Sequence, residues 1–465
     1  MSAIIHNSFR KFNADNFIDF IDGTPKVLYL GIGKTTPWAG NSVGEYVDGT
    51  YSDLAIPVPI DTTVAPFLHY ADLLAVKKIT SPSVSHVLKR VNWTSGEVYA
   101  EYNHFADDII DGIMVNGEKK EFFVMTDQYN VYKCISNYNG AVSTVKPTNK
   151  STGIIETADN YRWKFMFEIQ QADVLTFVTP DWIPVNSPAT ANQPDQENVE
   201  TNATTKDGSL EQITVTAGGT NYRSHTGTSP EFGTLNTIKL AVGSGNHLQN
   251  EYYTGLTVYI KDGTGSGQTL RTITAYDGAT QVATVTPNWG SGLTPGSTSV
   301  YEVMPKITLS GSSGSSGAEA RVSSVDVNGV IKKVSMSSAG TLYRSATATV
   351  SSGGGTDAIL LPIISPVGGH GSNAVSELGG AYVMLNTRLI GYEDGIIPIG
   401  EDGDFRKVHL ISSPMLTDGV TPASASVIVG SGLKAGSGDI IYSEFRAPIN
   451  RAADSTEDIK LVVEF

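Results

Sequence analysis

Gly208-Ser209-Leu210-Glu211-Gln212-Ile213-Thr214-Val215, ending at Gly219-Thr220-Asn221-Tyr222-Arg223-Ser224, returns as Gly329-Val330-Ile331-Lys332-Lys333-Val334-Ser335-Met336, ending at Gly340-Thr341-Leu342-Tyr343-Arg344-Ser345. The register is kept 121 positions later (329 − 208). After the second copy comes Ala348-Thr349-Val350-Ser351-Ser352-Gly353-Gly354-Gly355-Thr356-Asp357-Ala358. Its match for the first copy is Lys306-Ile307-Thr308-Leu309-Ser310-Gly311 through Gly317-Ala318, displaced by about eighty residues. A small β unit therefore occurs twice, with another domain inserted into the first copy between about Thr226 and Pro305. Each unit has strands, a Gly-Thr-x-Tyr-Arg-Ser turn and a Gly/Ser hairpin. Two copies can pack face to face and bury an apolar side that one copy alone could not.

The insert has its own rhythm. Leu256-Thr257-Val258-Tyr259-Ile260 leads to Asp262-Gly263, then Leu270 to Thr274, Asp277-Gly278, and Val282 to Thr286. Strands of about five residues parted by Asp-Gly and Gly-Ser turns predict an antiparallel sandwich. Upstream, Phe17, Ile18, Phe20 and Ile21 predict a helix over Asp15–Ile21. Val27-Leu28-Tyr29-Leu30 reads as a strand running into a glycine turn that delivers Pro37-Trp38. Pro57-Val58-Pro59-Ile60 is an extended connector. Residues 62–76 predict a helix with Val64, Phe67, Leu68, Leu74 and Val76 inward. Alternation predicts strands at Val84–Val91, Val98–Tyr102, Glu121–Met125, Val131–Ile135 and Arg162–Ile169. The polar run from Asn186 to Thr205 reads as a linker or extended arm.

Bulk properties narrow the function. A chain of 465 residues has room for about three domains. Its 48 glycines and only 17% charged residues favour a turn-rich, mainly β protein with a few short helices. The formal charge of −15 makes a polyanion an unfavourable main partner, because phosphate backbones are held by Lys/Arg surfaces. It opposes an anionic membrane surface by the same sign. The single cysteine, Cys134, cannot form an intrachain disulfide, and its strand-like flanks predict a small buried side chain. Met1 to His6 carry no basic segment followed by an apolar run, and assembly in a cytoplasm is expected.

Four stretches carry a resemblance. They are Tyr29-Leu30-Gly31-Ile32-Gly33-Lys34-Thr35-Thr36-Pro37-Trp38, Tyr161-Arg162-Trp163-Lys164-Phe165-Met166-Phe167-Glu168-Ile169, Phe405-Arg406-Lys407-Val408 through Ser413-Pro414 and on to Asp439-Ile440-Ile441-Tyr442, and the terminal Ile459-Lys460-Leu461-Val462-Val463-Glu464-Phe465. In this order they resemble the gene product eight family of baseplate wedge proteins from T4-like contractile-tailed phages, over roughly residues 1–190 and 380–465. The resemblance implies a homodimer of largely β domains in the tail baseplate of a virion. Its implied partners are other wedge proteins resembling gene products six, seven and ten. The middle of the chain departs from the family.

Motifs for chemistry are weak. Gly31-Ile32-Gly33-Lys34-Thr35 follows a strand as a phosphate loop would, but Leu28 stands where that loop needs its first glycine, and Pro37 opposes a helix start. The eight histidines show no His-x-x-x-His spacing. Gly368-Gly369-His370-Gly371 reads as a structural turn in which His370 could titrate or bind a metal. The runs Asp107-Asp108-Ile109-Ile110-Asp111 and Glu401-Asp402-Gly403-Asp404 lack the carboxylate spacing of a helix-loop-helix calcium site and read as solvated loops. Trp163, Trp182 and Trp289 read as core or interface more than as a sugar platform. No catalytic, cofactor or metal site is assigned, and the chain is expected not to be an enzyme.

The expected architecture is a β-sandwich-like body from residues 1–190 and 366–465. Residues 191–225 form a linker with the first half of the split repeat, 226–304 an inserted β-sandwich, and 305–365 the rest of the repeats. The expected function is structural, within the baseplate wedge, with contacts that rearrange on sheath contraction. The alternative is a carbohydrate- or receptor-binding tail protein that uses the insert for glycan contact.

Overall fold

The computed structural model describes residues 7–22, 27–34, 69–70, 72–106, 112–185, 193–243 and 245–465. Antiparallel sheets dominate; the described α-helices are Asn7–Asp22, Gln171–Phe177, Pro194–Thr204 and Ala374–Leu378. None of the described helices is long and apolar enough to cross a membrane. The chain divides into two compact units: Met1–Arg90 with Ile169–Asn186 and Leu378–Phe465, and Val91–Glu168 with Ser187–Glu377.

The first unit has two sheets. One runs in the order Val427–Val429, Leu73–Lys78, Leu28–Lys34, Phe405–Ser412, Asp439–Ile449. The other runs Trp182–Val185, Val84–Lys89, Tyr382–Ile390, Thr456–Glu464. Both take strands from each flank of the chain, with Leu30 opposite Leu410 and His86 opposite Val383. The period of two sends Leu28, Leu30 and Ile32 into a core shared with Leu385, Leu389 and Leu461 of the second sheet. Tyr29 points the other way, into a cluster with Val76, Ile411 and Ile428. The helix Asn7–Asp22 adds Phe17, Phe20 and Ile21 to the first core.

Three expectations for this unit are corrected. The glycine turn after Leu30 is absent, because the strand continues through Gly31 and Gly33 to Lys34. A Cβ at Gly31 would sit 2.8 Å from Leu73 Cδ1, so glycine there lets the neighbouring strand's side chains close in. Thr35, Pro37, Trp38 and the 57–60 connector lie outside the described residues. Leu74 and Val76, expected on a helix, lie on the strand Leu73–Lys78, whose first four residues are all buried. A fully buried strand between two partners reads as a continuous apolar run, which periodicity cannot separate from a helix. Residues 91–168, expected in this body, belong to the second unit.

His409 gives this unit a pH dependence. Its ring is fully buried, edge-on to His69 at 4.9 Å, with Nδ1 2.9 Å from Ser443 Oγ. Burial first, then the charges of His69 and Lys407, push its pKa down to about 4. On acidification the unfolded chain takes up this proton before the folded one, so stability is lost as pH falls from about 6.5 to 4. Denaturant titrations across that window should show a loss of up to about 3 kcal/mol, at 1.36 kcal/mol per pKa unit. His409→Gln should flatten the profile; an unchanged slope would refute the assignment.

In the second unit the two copies of the repeat form matching strands, Leu210–Thr220 and Ile331–Thr341. They do not fold as separate units. Leu210–Thr220 pairs with Thr356–Ile364, from the second copy, while Ile331–Thr341 pairs with Ser316–Val325, from the first. The remaining equivalent strands, Ile307–Gly311 and Ala346–Val350, pair with each other, Ile307 opposite Val350 and Ser310 opposite Thr347. A self-pairing of equivalents with exchanged outer strands is the pattern of a two-fold axis within one chain. The turns follow it. Tyr222 N–H donates to Gly329 O at 3.0 Å, and Tyr343 N–H donates to Gly208 O at 2.9 Å. Each copy's turn thus closes on the start of the other copy, and the core is shared: Ile213 and Tyr222 meet Val322, Ile331 and Val334.

The insert, expected as an antiparallel sandwich, is instead one six-stranded antiparallel sheet. Its order is His225–Thr228, Val300–Met304, Thr257–Asp262, Arg271–Asp277, Val282–Thr286, Thr237–Lys239. It surrounds a core that includes Val258, Ile273, Tyr276, Trp289 and Tyr301. The first and last strands pair, His225 opposite Val303, so the chain leaves and rejoins the repeat at one place. The rest of this unit is a four-stranded sheet, Phe123–Met125, Asn130–Ser136, Arg162–Glu168, Ile154–Glu156. Val98–Tyr102, expected as a strand, makes no ladder; it is tied by single bonds such as Tyr102 N–H to Cys134 O at 2.8 Å. The expected linker is also corrected: Pro194–Thr204 is a helix, with Pro194 at its start, Asp195 and Glu197 in its first turn, and Val199 and Ala203 buried.

Candidate functional site

The densest chemistry in the second unit lies on the strands Asn130–Ser136 and Arg162–Glu168. Lys133 and Lys164 stand directly opposite each other in the ladder, and both are buried. Two like charges at such a pair repel, and each needs a compensating partner. Lys133 forms a fully buried ion pair with Glu377 Oε2, and its ammonium lies 4.9 Å from the centre of the Tyr102 ring. Lys164 donates to Thr152 O. Burial lowers the pKa of Lys133, while the adjacent Glu377 raises it. Burial pushes Lys164 down to about 8, partly opposed by Glu211.

Glu377 is held from its other side as well. Its Oε1 accepts the backbone N–H of Gly371 at 2.7 Å and of Asn373 at 3.2 Å, with Ser372 Oγ at 3.4 Å. The glycine turn supplies these donors: Gly368, Gly369 and Gly371 all have positive φ. At Gly371 a Cβ would meet Val199 Cγ1 at 2.5 Å and Lys164 Cε at 3.0 Å, so only glycine lets the loop press onto the helix and the lysine. His370 is buried in that turn, edge-on to Tyr102 at 5.0 Å. Burial and the charges of Lys133, Lys164 and Arg162 hold it well below the usual histidine range, so it stays neutral. A buried amine beside a carboxylate could serve proton transfer. Here Lys133 has no exposed surface, so the group acts as a bolt that fixes the 368–377 segment to the sheet.

The other candidates take structural places. Cys134 is fully buried, and burial raises its thiol pKa well above the ordinary value. Trp163 stacks on Tyr161 at 5.3 Å inside the core, and Trp289 donates from Nε1 to Thr237 O at 3.0 Å. Trp182 packs on Tyr382 at 4.7 Å. In the Glu401–Asp404 run, Asp404 Oδ1 accepts the Arg451 N–H at 2.8 Å. The run 107–111 lies outside the described residues. Among the described residues no three His, Cys, Asp or Glu side chains gather as a metal site would require. A groove of about 100 Å³ is lined by Tyr138, Asn160, Arg162, Gln212 and Lys333, with polar groups predominating. Neither the bolt nor this groove was visible in the sequence, since Lys133 and Glu377 are 244 positions apart.

No family model matches the chain, and no curated protein matches it.

Proposed function

We propose that this chain is a structural subunit of a contractile-tail baseplate wedge, joining neighbouring wedge proteins and changing its contacts with them when the sheath contracts. One observation supports this reading most. Stretches quoted for the family resemblance, from Tyr29, from Phe405 and from Asp439 to Tyr442, lie on three consecutive strands of one sheet, Leu28–Lys34, Phe405–Ser412 and Asp439–Ile449, although the first is far from the others in sequence. Three of the four stretches quoted for the resemblance thus fall in the first unit, while Tyr161–Glu168 falls in the second. In this reading the subunit is a homodimer within the virion, with partners resembling gene products six, seven and ten, and the insert as a peripheral addition. Compact β units suit a role in which subunits move as bodies about their interfaces.

The test is proteomic and structural. Mass spectrometry of purified phage particles from the parent genome should find this chain among the tail proteins, and a particle map should place it in the baseplate. Its absence from particles would overturn the reading. Glycan binding by the chain, lost when the insert is removed, would favour a receptor-binding role instead.

A further inference from the structure

We propose that the strand Asp439–Ile449 pairs with its own counterpart in a second copy of the chain, about a two-fold axis through Phe445. This deepens the homodimer part of the reading above and rests on it. Among the described residues the strand ends the five-stranded sheet; it is eleven residues long, with only Ile440, Glu444 and Ile449 partly covered. Ile441 is 50% exposed and Phe445 59% exposed. A long edge strand carrying exposed apolar side chains and unpaired backbone groups invites pairing with another chain unless something covers it.

The strand's own sequence favours itself as the cover. In a two-fold antiparallel pair, facing residues share the same hydrogen-bonding class, so some residue must face its own copy. Centring on Glu444 sets two carboxylates together, and centring on Arg446 sets two guanidinium groups together. Centring on Ser443 places Tyr442 against Glu444 and Arg446 against Ile440. Centring on Phe445 places Glu444 against Arg446 twice, Ile441 against Ile449 twice, Tyr442 against Pro448, and Phe445 against Phe445. Ser443 faces Ala447 and Ile440 faces Asn450, so no pair sets like charges together, and the charged and large apolar side chains meet partners that stabilise antiparallel ladders. In the single chain Glu444 already meets Arg446 at 3.2 Å on one face, so both are placed for exchange across the axis. Pro448, which cannot donate to a ladder, falls where the register with Phe405–Ser412 shifts.

A second feature agrees. Between Asp439–Ile449 and the edge strand Thr456–Glu464 lies a groove of about 270 Å³, floored by Phe405, Val408 and Leu461 and rimmed by Glu444 and Arg446. Copies joined at Phe445 would bring their own side chains over this rim and make one sheet of ten strands.

The chain's single cysteine, Cys134, is buried, which makes a clean cross-linking test possible. Phe445→Cys should form a disulfide-linked dimer under mild oxidation, because facing residues in antiparallel strands bring their Cβ atoms within reach of that bond. Tyr392→Cys, at an exposed site outside the strand, is the control. Glu444→Arg should weaken the dimer roughly a hundredfold through like-charge contacts. Adding Arg446→Glu should restore it, which tests the register and not merely the surface. A dimer by light scattering with no cross-link above the control, or no charge-swap rescue, would overturn the strand pairing and leave the homodimer standing. A monomer at high micromolar concentration would overturn both.

Discussion

Glu377→Gln should lower the stability of the second unit by about 3–5 kcal/mol, the cost of breaking a buried ion pair from one side. Lys133 would keep its fully buried ammonium but lose its carboxylate, and the Tyr102 ring alone is a weak substitute. The same substitution weakens the charge-assisted bonds from the Gly371 and Asn373 N–H groups, so the 368–377 segment loosens with it. Lys133→Met should cost less, because Glu377 would keep those donors. The double variant Lys133→Met with Glu377→Gln should recover much of the loss, since a neutral buried pair carries no uncompensated charge. Denaturant unfolding of the three variants gives the coupling directly. A loss under about 1 kcal/mol for Glu377→Gln would mean that water reaches the pair and that the bolt holds nothing.

The bolt also shows where sequence reading stops. Lys133 follows Tyr132 in an alternating strand, and alternation assigns such a lysine to a solvent face. It is buried because the strand Asn130–Ser136 is covered on both sides, a tertiary fact that no local window contains. The Pro194–Thr204 helix was hidden for a similar reason. Only Val199 and Ala203, four positions apart, mark an apolar face in a polar run. The mainly β class and the repeat were legible, because glycine and tyrosine at fixed turn positions are read residue by residue. Which strand pairs with which was not. The last strands of the two copies carry equivalent patterns, so either could complete either copy, and the pattern that fixes register along a strand does not choose between them. The exchange is visible only in the ladder.

The internal two-fold axis makes a sharper claim, because equivalent residues should fail alike. Gly219 and Gly340 both have φ of +61°, and the residues at the following turn positions, Asn221 and Leu342, have φ of 62° and 63°. A Cβ at Gly219 would meet Thr356 O at 2.2 Å and Ala358 N at 2.7 Å. At Gly340 it would meet Ser316 O at 2.5 Å and Ala318 N at 2.4 Å, the equivalent backbone atoms of the other exchanged strand. Backbone held in a ladder cannot step aside as a flexible side chain could. Gly219→Ala and Gly340→Ala should therefore each add a clash to the about 1–2 kcal/mol of a left-handed residue, for a loss of at least about 3 kcal/mol. Gly267→Ala, in the insert, separates the two terms: its φ is +79° but no atom lies within 4 Å, so only the smaller backbone cost applies. Chemical denaturation of the three variants should rank the two repeat positions together and well above the control. If Gly219→Ala were severe and Gly340→Ala mild, the two turns would not be doing the same work, and the axis would be a likeness of sequence without one of structure.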